Sequence, residues 1–418
     1  MSDVDRTPVV GPGGCVLHIG MMKTATTSIQ SVASDRRRAL RRHGVRYPGV
    51  GLNHSDALSP ILGTSGVRHN TDRQKVNWER LLKERARHPD ERLFLSSELI
   101  AGCRVSAIDR LVEEFGPDLH VVITVRPLAQ LLPSAWQQYV KQRNEHGFWV
   151  YMKRVLEERQ STFGKRVWPK YGMAKVVAPW VARLGAERVT VVMLDKERPD
   201  VVFRAFEELL GLPDGLLEPS PEGAMVNRGL SFEEAELVRM VNQRVKQAGI
   251  TPKEYQALVR SALVDGLMES RVPGPDEHRV YLPLRRAPKV QRIAERHVAR
   301  VEALGVNVIG DLAGYAHAPT PAEGSIYAVR MVPAALVDDA VACVRRGRLW
   351  IPRGWLRVSR RTPVADDRPP IPLKEAGDIV AAEVLKPGLR RWLAEADSIG
   401  RSARGARDAV MRVRHKVR

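Results

Sequence analysis

A chain of 418 residues with 44% apolar side chains is long enough to bury a full core and to hold about two or three domains. It has no apolar run of about 18 residues and no basic or apolar leader in Met1-Ser2-Asp3-Val4-Asp5, and its cysteines Cys15, Cys103 and Cys343 lie far apart; the expectations are a soluble cytoplasmic chain with no disulfide framework and no metal site. The net charge of +19 points to an anionic ligand, nucleic acid or a membrane surface as partner, but 19 basic against 8 acidic residues over 345–418 place +11 of it in the last fifth of the chain.

In chain order, Cys15-Val16-Leu17-His18-Ile19 predicts a short apolar strand, Gly20 a sharp turn, and Thr26 onward a helix that runs through Ile29, Val32, Ala33 and Leu40 to stop at Gly44. Arg36-Arg37-Arg38 and Arg41-Arg42 read as the solvated face of that helix. Val45-Arg46-Tyr47 predicts a strand cut by Pro48, and residues 49–73, rich in Gly, Ser and Asn, a long loop holding His54. Trp78 to His88 reads as a helix, Arg92 to Ser96 as a buried strand followed at once by Ser97-Glu98, Ile108 to Phe115 as a helix, and Leu119 to Val125 as a continuous apolar strand ended by Arg126-Pro127. Leu128 to Arg143 is a predicted helix with Ser134 in its early turns, and residues 145–172 give no clear pattern.

Further on, Lys175 to Arg183 reads as a helix, Arg188 to Leu194 as a strand, and Phe203 to Leu210 as a helix closed by Gly211. Ser231 with Glu234 three residues later forms a capping-box pattern, and helices are predicted over 252–267 and 289–304. Alternating strands and helices imply an α/β fold with a parallel sheet between helical layers. Beyond Pro319-Thr320-Pro321 the composition shifts, and Pro352, Pro363, Pro369, Pro370 and Pro372 interrupt the chain. Leu389, Trp392, Leu393 and Ala396 then recur at helical intervals in an Arg-rich end.

The first strand, turn and helix make an anion cradle. Thr24, Thr26, Thr27 and Ser28, with Ala25 between them, bring hydroxyls and unpaired N–H groups to a helix N-terminus, and Lys23 adds a full charge. Met22 precedes Lys23 where a triphosphate-binding P-loop needs glycine, so the loop is shorter and suits a smaller group. A carboxylate just past a strand, as Glu98 is, lies on the sheet edge where such folds bind ligands. Arg126 at a strand end and Ser134 eight residues later can converge on one phosphate, the guanidinium by a forked pair of bonds.

The loop Gly20-Met21-Met22-Lys23-Thr24-Ala25-Thr26-Thr27-Ser28 resembles the 5′-phosphosulfate loop of sulfotransferases that use 3′-phosphoadenosine 5′-phosphosulfate (PAPS), and Val121 to Pro127 with Ser134 resembles their 3′-phosphate motif. Pro127 stands where many members carry Asp or Asn. The resemblance extends more loosely through Ser96-Ser97-Glu98, the strand after Arg188 and Asn227-Arg228-Gly229-Leu230-Ser231. It implies a P-loop-like three-layer sandwich, with a tail over 1–14, a sulfotransferase domain over 15–318 and a basic extension over 319–418.

It further implies metal-free sulfuryl transfer from PAPS to a hydroxyl or amine of a carbohydrate, lipid-linked or small-molecule acceptor. Lys23 would neutralise charge on the bridging oxygen; Gly20, Thr24, Ala25, Thr26, Thr27 and Ser28 would hold the 5′-phosphate, and Arg126 with Ser134 the 3′-phosphate. Glu98, placed as in glycan-modifying members, is the implied base, with His54 the alternative; a solvated loop histidine and an ion-paired Glu98 are the plainer readings. Two other functions compete. A P-loop kinase or nucleotide triphosphatase would need Mg²⁺ and an acid such as Asp195. A non-catalytic polyanion binder would act through the basic tail, which in either case is expected to touch an anionic surface; no nucleic-acid motif accompanies it.

Overall fold

The computed structural model describes residues 9–21, 24, 26–62, 72–195, 197–219, 228–318, 328–347 and 368–386. Lys23, Ala25, Asn227, the composition shift at 319–321, and the Arg-rich end fall outside the described residues. The chain divides into two compact units, one of Met1–Ala135, Tyr151–Asn227 and Tyr281–Pro321, the other of Trp136–Val150, Arg228–Val280 and Ala322–Arg418.

The first unit is an α/β fold. Its chain runs β1 (Cys15–His18), α1 (Thr26–Asp35), α2 (Arg37–Arg42), β2 (Val45–Arg46), α3 (Ser55–Leu62), α4 (Asp72–Arg87), β3 (Arg92–Ser96), α5 (Val105–Phe115), β4 (Leu119–Val125) and the first turns of α6 (Leu128–Lys141), whose residues from Trp136 on are assigned to the second unit. It continues through α7 (Phe148–Leu156), α8 (Thr162–Tyr171), α9 (Met173–Leu184), β5 (Val189–Met193) and α10 (Val201–Leu210), and ends with helix Ala287–Glu302 and β6 (Asn307–Ile309). Six strands pair in the order β2-β3-β1-β4-β5-β6, every pairing parallel.

Burial on both faces explains why the central strands read as unbroken apolar runs. Val16, Phe94, Val122 and Val192 pack with Ile29 and Val32 of α1 and Phe203 and Phe206 of α10, while the alternate residues Leu17, Leu95, Val121, Ile123 and Val191 are equally buried toward the opposite face, on which α9 packs against β4 and β5. Gly211 closes α10 at φ +60°, the left-handed stop expected of it.

Three expectations need correction. The first helix breaks after Asp35 into α1 and α2, and Arg37 turns inward to donate to the carbonyls of Ser34, Tyr47 and Gly51. The loop over 49–73 contains α3, whose apolar face of Leu58, Ile61 and Leu62 is hidden in the sequence among Ser and Asn; Asn53 accepts from the Ser55 N–H at its start, 3.1 Å away. The patternless stretch 145–172 holds α7 and α8, with Pro169 in the last turn of α8.

The second unit is mostly helical among its described residues. Ser231 caps helix Phe232–Gln247 with the predicted Glu234 capping box. Helical turns follow over Pro252–Glu254, Tyr255–Asp265 (a π-helix) and Gly266–Ser270. The proline-rich extension also folds: helices Ala334–Gly347 and Leu373–Leu385 flank an antiparallel pair of Met331–Val332 with Ile371–Pro372. Pro369, Pro370 and Pro372 stand outside those helices, where they break nothing. Arg271, 6% exposed, bonds Glu234, Glu277 and Asp339, a buried ion cluster that must stay complete because one missing partner strands a charge. No helix among the described residues is long and apolar enough to cross a membrane.

Candidate active site at the carboxyl end of β1

β1 leads to α1 and then outward to β2 on one side, whereas β4 leads to β5 on the other. The carboxyl ends of β1 and β4 are therefore the point where connections diverge, the usual ligand crevice of an open α/β sheet. The turn after β1 is tied to β4 there: the Ile19 N–H donates to the Val122 carbonyl at 2.7 Å and the Met21 N–H to the Thr124 carbonyl at 3.2 Å.

Gly20 meets Thr26 at the opening of α1. A Cβ on Gly20 would lie 2.0 Å from Thr26 Oγ1 and 3.0 Å from both its Cβ and its Cγ2, so only glycine fits. Thr26 is buried and its Oγ1 has no hydrogen-bond partner among the described residues. A hydroxyl so placed costs about 1–3 kcal/mol, at a helix N-terminus where an anion is favoured. A phosphate oxygen would restore the missing bond. Gly20→Ala is accordingly expected to lower stability by about 1–3 kcal/mol and to weaken nucleotide binding by at least about tenfold, read by thermal melting and calorimetry; unchanged binding would show that the turn is not the cradle. Thr27 and Ser28, by contrast, are exposed on α1.

A buried chain of hydrogen bonds runs from this turn to Glu98. Thr24 Oγ1 donates to the Met21 carbonyl and accepts from Thr124 Oγ1 at 2.9 Å. Thr124 in turn accepts from His18 Nε2–H at 3.1 Å, and His18 Nδ1 accepts from the Ser96 hydroxyl at 3.0 Å. Ser96 Oγ accepts from Gln30 Nε2 at 3.0 Å, whose second hydrogen reaches Glu98 Oε2 at 3.4 Å. Every donor then has one acceptor, given a neutral His18 protonated on Nε2. Burial supplies that state by pushing the ring down to about 3. Gln30 of α1 thus ties the cradle helix to half-buried Glu98, which opens a 3₁₀ turn Glu98–Gly102 capped by Ser97.

His54 is placed differently from its predicted loop. It is 4% exposed, its Nδ1 accepts the Ser96 N–H at 3.0 Å and its Nε2 donates to the Pro48 carbonyl at 3.1 Å. Both ring nitrogens serve the backbone, one at the end of β3 and one just past β2, and burial pushes the ring down to about 4. Glu98, by contrast, is half-buried and its Oε2 accepts from Gln30 at 3.4 Å.

These histidines give the fold an acid limit. Unfolded, each ring takes up a proton near pH 6.5, whereas His18 stays neutral to about pH 3 and His54, His120 and His297 to about pH 4. Between about pH 6.5 and 4 the unfolded chain binds more protons, so stability falls as pH falls. Calorimetric melting temperatures should drop through that window, and a flat profile would overturn the assignment.

Arg126 follows β4 two residues past Thr124, on the same sheet edge as the cradle. Its Nη2 donates to Gln130 Oε1 at 2.6 Å, and burial holds its guanidinium below the usual arginine range. Ser134 is half-buried on α6. Asp195, at the end of β5, accepts from the Glu197 N–H at 2.8 Å and lies 3.6 Å from Arg198, two strands away from the cradle.

Sequence reasoning missed His18, Gln30, Ser96 and Thr124. The one available signal was a histidine inside an apolar strand.

No family model and no curated protein sequence matches this chain. Among solved structures, a sulfotransferase from Alicyclobacillus acidocaldarius is similar at 16% identity and a TM-score of 0.35, over 59% of this chain and 99% of that chain.

Proposed function

We propose that the chain transfers a sulfuryl group from PAPS to a hydroxyl or amine of a carbohydrate, lipid-linked or small-molecule acceptor. The observation that carries this reading is the orphaned Thr26 hydroxyl facing Gly20 at the start of α1, on the helix whose Gln30 bonds the Glu98 carboxylate. Thr26 holds the 5′-phosphate and Lys23 adds charge there, while Thr24, whose N–H and hydroxyl both donate to the Met21 carbonyl, shapes the turn instead of binding as expected; Arg126 with Ser134 takes the 3′-phosphate. Thr27 and Ser28 contribute through their backbone N–H groups at the helix start. When bound, PAPS supplies an activated sulfuryl group whose bridging oxygen leaves with phosphate.

Glu98 takes the acceptor proton as the acceptor oxygen forms its bond to sulfur. The bridging S–O bond breaks with its electron pair remaining on phosphate, and adenosine 3′,5′-bisphosphate departs. Fixed positive charge at the crevice then does most of the work, since it is aimed at the oxygen that becomes more negative.

Calorimetry tests the donor. Adenosine 3′,5′-bisphosphate should bind without Mg²⁺ and more tightly than Mg-ATP; the reverse order would favour a kinase. Lys23→Ala should cut transfer of labelled sulfuryl from PAPS by about a hundredfold or more, and undiminished transfer would remove Lys23 from the reaction.

A further inference from the structure

The sequence places the charge excess in the tail, but a second concentration lies on the first unit. Along helix Ala287–Glu302, Lys289, Arg292, Arg296 and Arg300 recur at three- and four-residue steps, which at about 100° per residue keeps them on one stripe. The last three are exposed, and among the described residues none of the four has a carboxylate partner. The acids of this helix sit on another flank, Glu295 held by Gln291 Nε2 at 3.0 Å. Its apolar side, Val290, Ile293, Ala294, Val298 and Val301, is buried.

The stripe continues toward Glu98. His297, beside Arg296, accepts the Ala174 N–H on Nδ1 at 3.1 Å and stacks on Trp168 with ring centroids 6.1 Å apart. Arg159 lies over the same indole, 5.5 Å from its centroid. Burial foremost, then Arg159, Lys175, Arg296 and Arg300, press the His297 ring down to about 4, so four cations crowd one imidazole. Gly172, at the end of α8, comes within 3.0 Å of His297 Cε1 by a notional Cβ, and the Lys170 stem lies over Gly102 in the same way at 2.4 Å. Gly102 closes the turn that Glu98 opens. A cationic track thus leads from the Glu98 turn across α8 to the helix stripe, inside one unit.

We propose that this track docks a linear anionic polysaccharide, a chain bearing carboxylate or sulfate groups on its sugars, and that this chain is the acceptor. Its role as acceptor rests on the sulfuryl-transfer reading, whereas the docking does not. Cations one helical turn apart, about 6 Å, suit a chain with sparse charge better than a duplex carrying one charge per about 1.7 Å. Single-stranded nucleic acid needs open aromatic faces, and Trp168 is 9% exposed beneath His297 and Arg159. A membrane surface needs apolar groups on the same face, and the stripe offers only Leu284 at its start.

The test uses the full chain and fluorescence anisotropy of labelled heparin and polygalacturonate oligosaccharides across a salt series. Arg292→Gln/Arg296→Gln/Arg300→Gln should bind at least about tenfold more weakly, with a salt slope shallower by about two to three. Arg296→Lys/Arg300→Lys should keep most of the affinity, and Arg80→Gln/Lys83→Gln/Arg87→Gln on α4 should change it less than about twofold. Wild-type affinity in the stripe variant, or equal losses in both triple variants, would overturn the proposal. So would tighter binding of single-stranded DNA or phosphatidylglycerol vesicles at the same salt. Adenosine 3′,5′-bisphosphate affinity, measured on each protein, should be untouched by the stripe substitutions; its absence from the wild type would remove the donor reading and leave the docking result standing.

Discussion

Glu98→Gln is expected to bind adenosine 3′,5′-bisphosphate as the wild type does and to transfer sulfuryl groups about a hundredfold to ten-thousandfold more slowly. The exchange is nearly isosteric, and the amide oxygen keeps the bond from Gln30 Nε2 that spans 3.4 Å in the native chain. What disappears is a group able to accept the acceptor's proton. Because Gln30 also bonds Ser96, the cradle helix stays fixed and the donor pocket is spared, so kcat should collapse with little change in donor KM. Gln30→Ala separates the two roles: it loosens Glu98 without removing it and should give a smaller loss of rate. Full turnover by Glu98→Gln would end its candidacy as base.

The central sheet was legible because its strands are covered on both faces. Leu119 to Val125 shows this as seven buried residues of which all but His120 are apolar or β-favouring. α3 was not legible: its helix rests on Leu58, Ile61 and Leu62, too short a pattern to stand out from Ser, Gly and Asn neighbours. The predicted cradle residues Gly20, Thr24 and Thr26 come together at one turn, since a strand, a glycine and a helix start are local features. The chain that links them to Glu98 is not local. His18 sits in register with Ser96 and Val122 of β1's two neighbours and bonds Ser96 and Thr124, 78 and 106 positions away. A buried polar residue announces that it needs a partner, but only strand register reveals which. The same limit applied to His54, whose two backbone partners fix it in the edge of the sheet.

Arg126→Ala is expected to weaken adenosine 3′,5′-bisphosphate binding by about 30- to 1000-fold, the range for deleting a desolvated charged partner of an ion. Burial disfavours the cationic state of this guanidinium, whose Nη2 donates to the Gln130 amide oxygen at 2.6 Å. A dianionic phosphate would offset the remaining cost, because a buried charge is tolerated best beside its opposite. The loss should be specific: affinity for adenosine 5′-monophosphate, which lacks the 3′-group, should change by less than about threefold if Arg126 reads only that phosphate. Arg126→Lys keeps the charge and loses the fork, so it should fall between wild type and alanine. In a double-mutant cycle with Ser134→Ala the two losses should be less than additive, since both side chains are assigned to one phosphate. A variant lacking the Arg126 guanidinium yet still preferring the 3′-phosphorylated nucleotide by the wild-type margin would leave that phosphate without its proposed anchor and with it the case for PAPS.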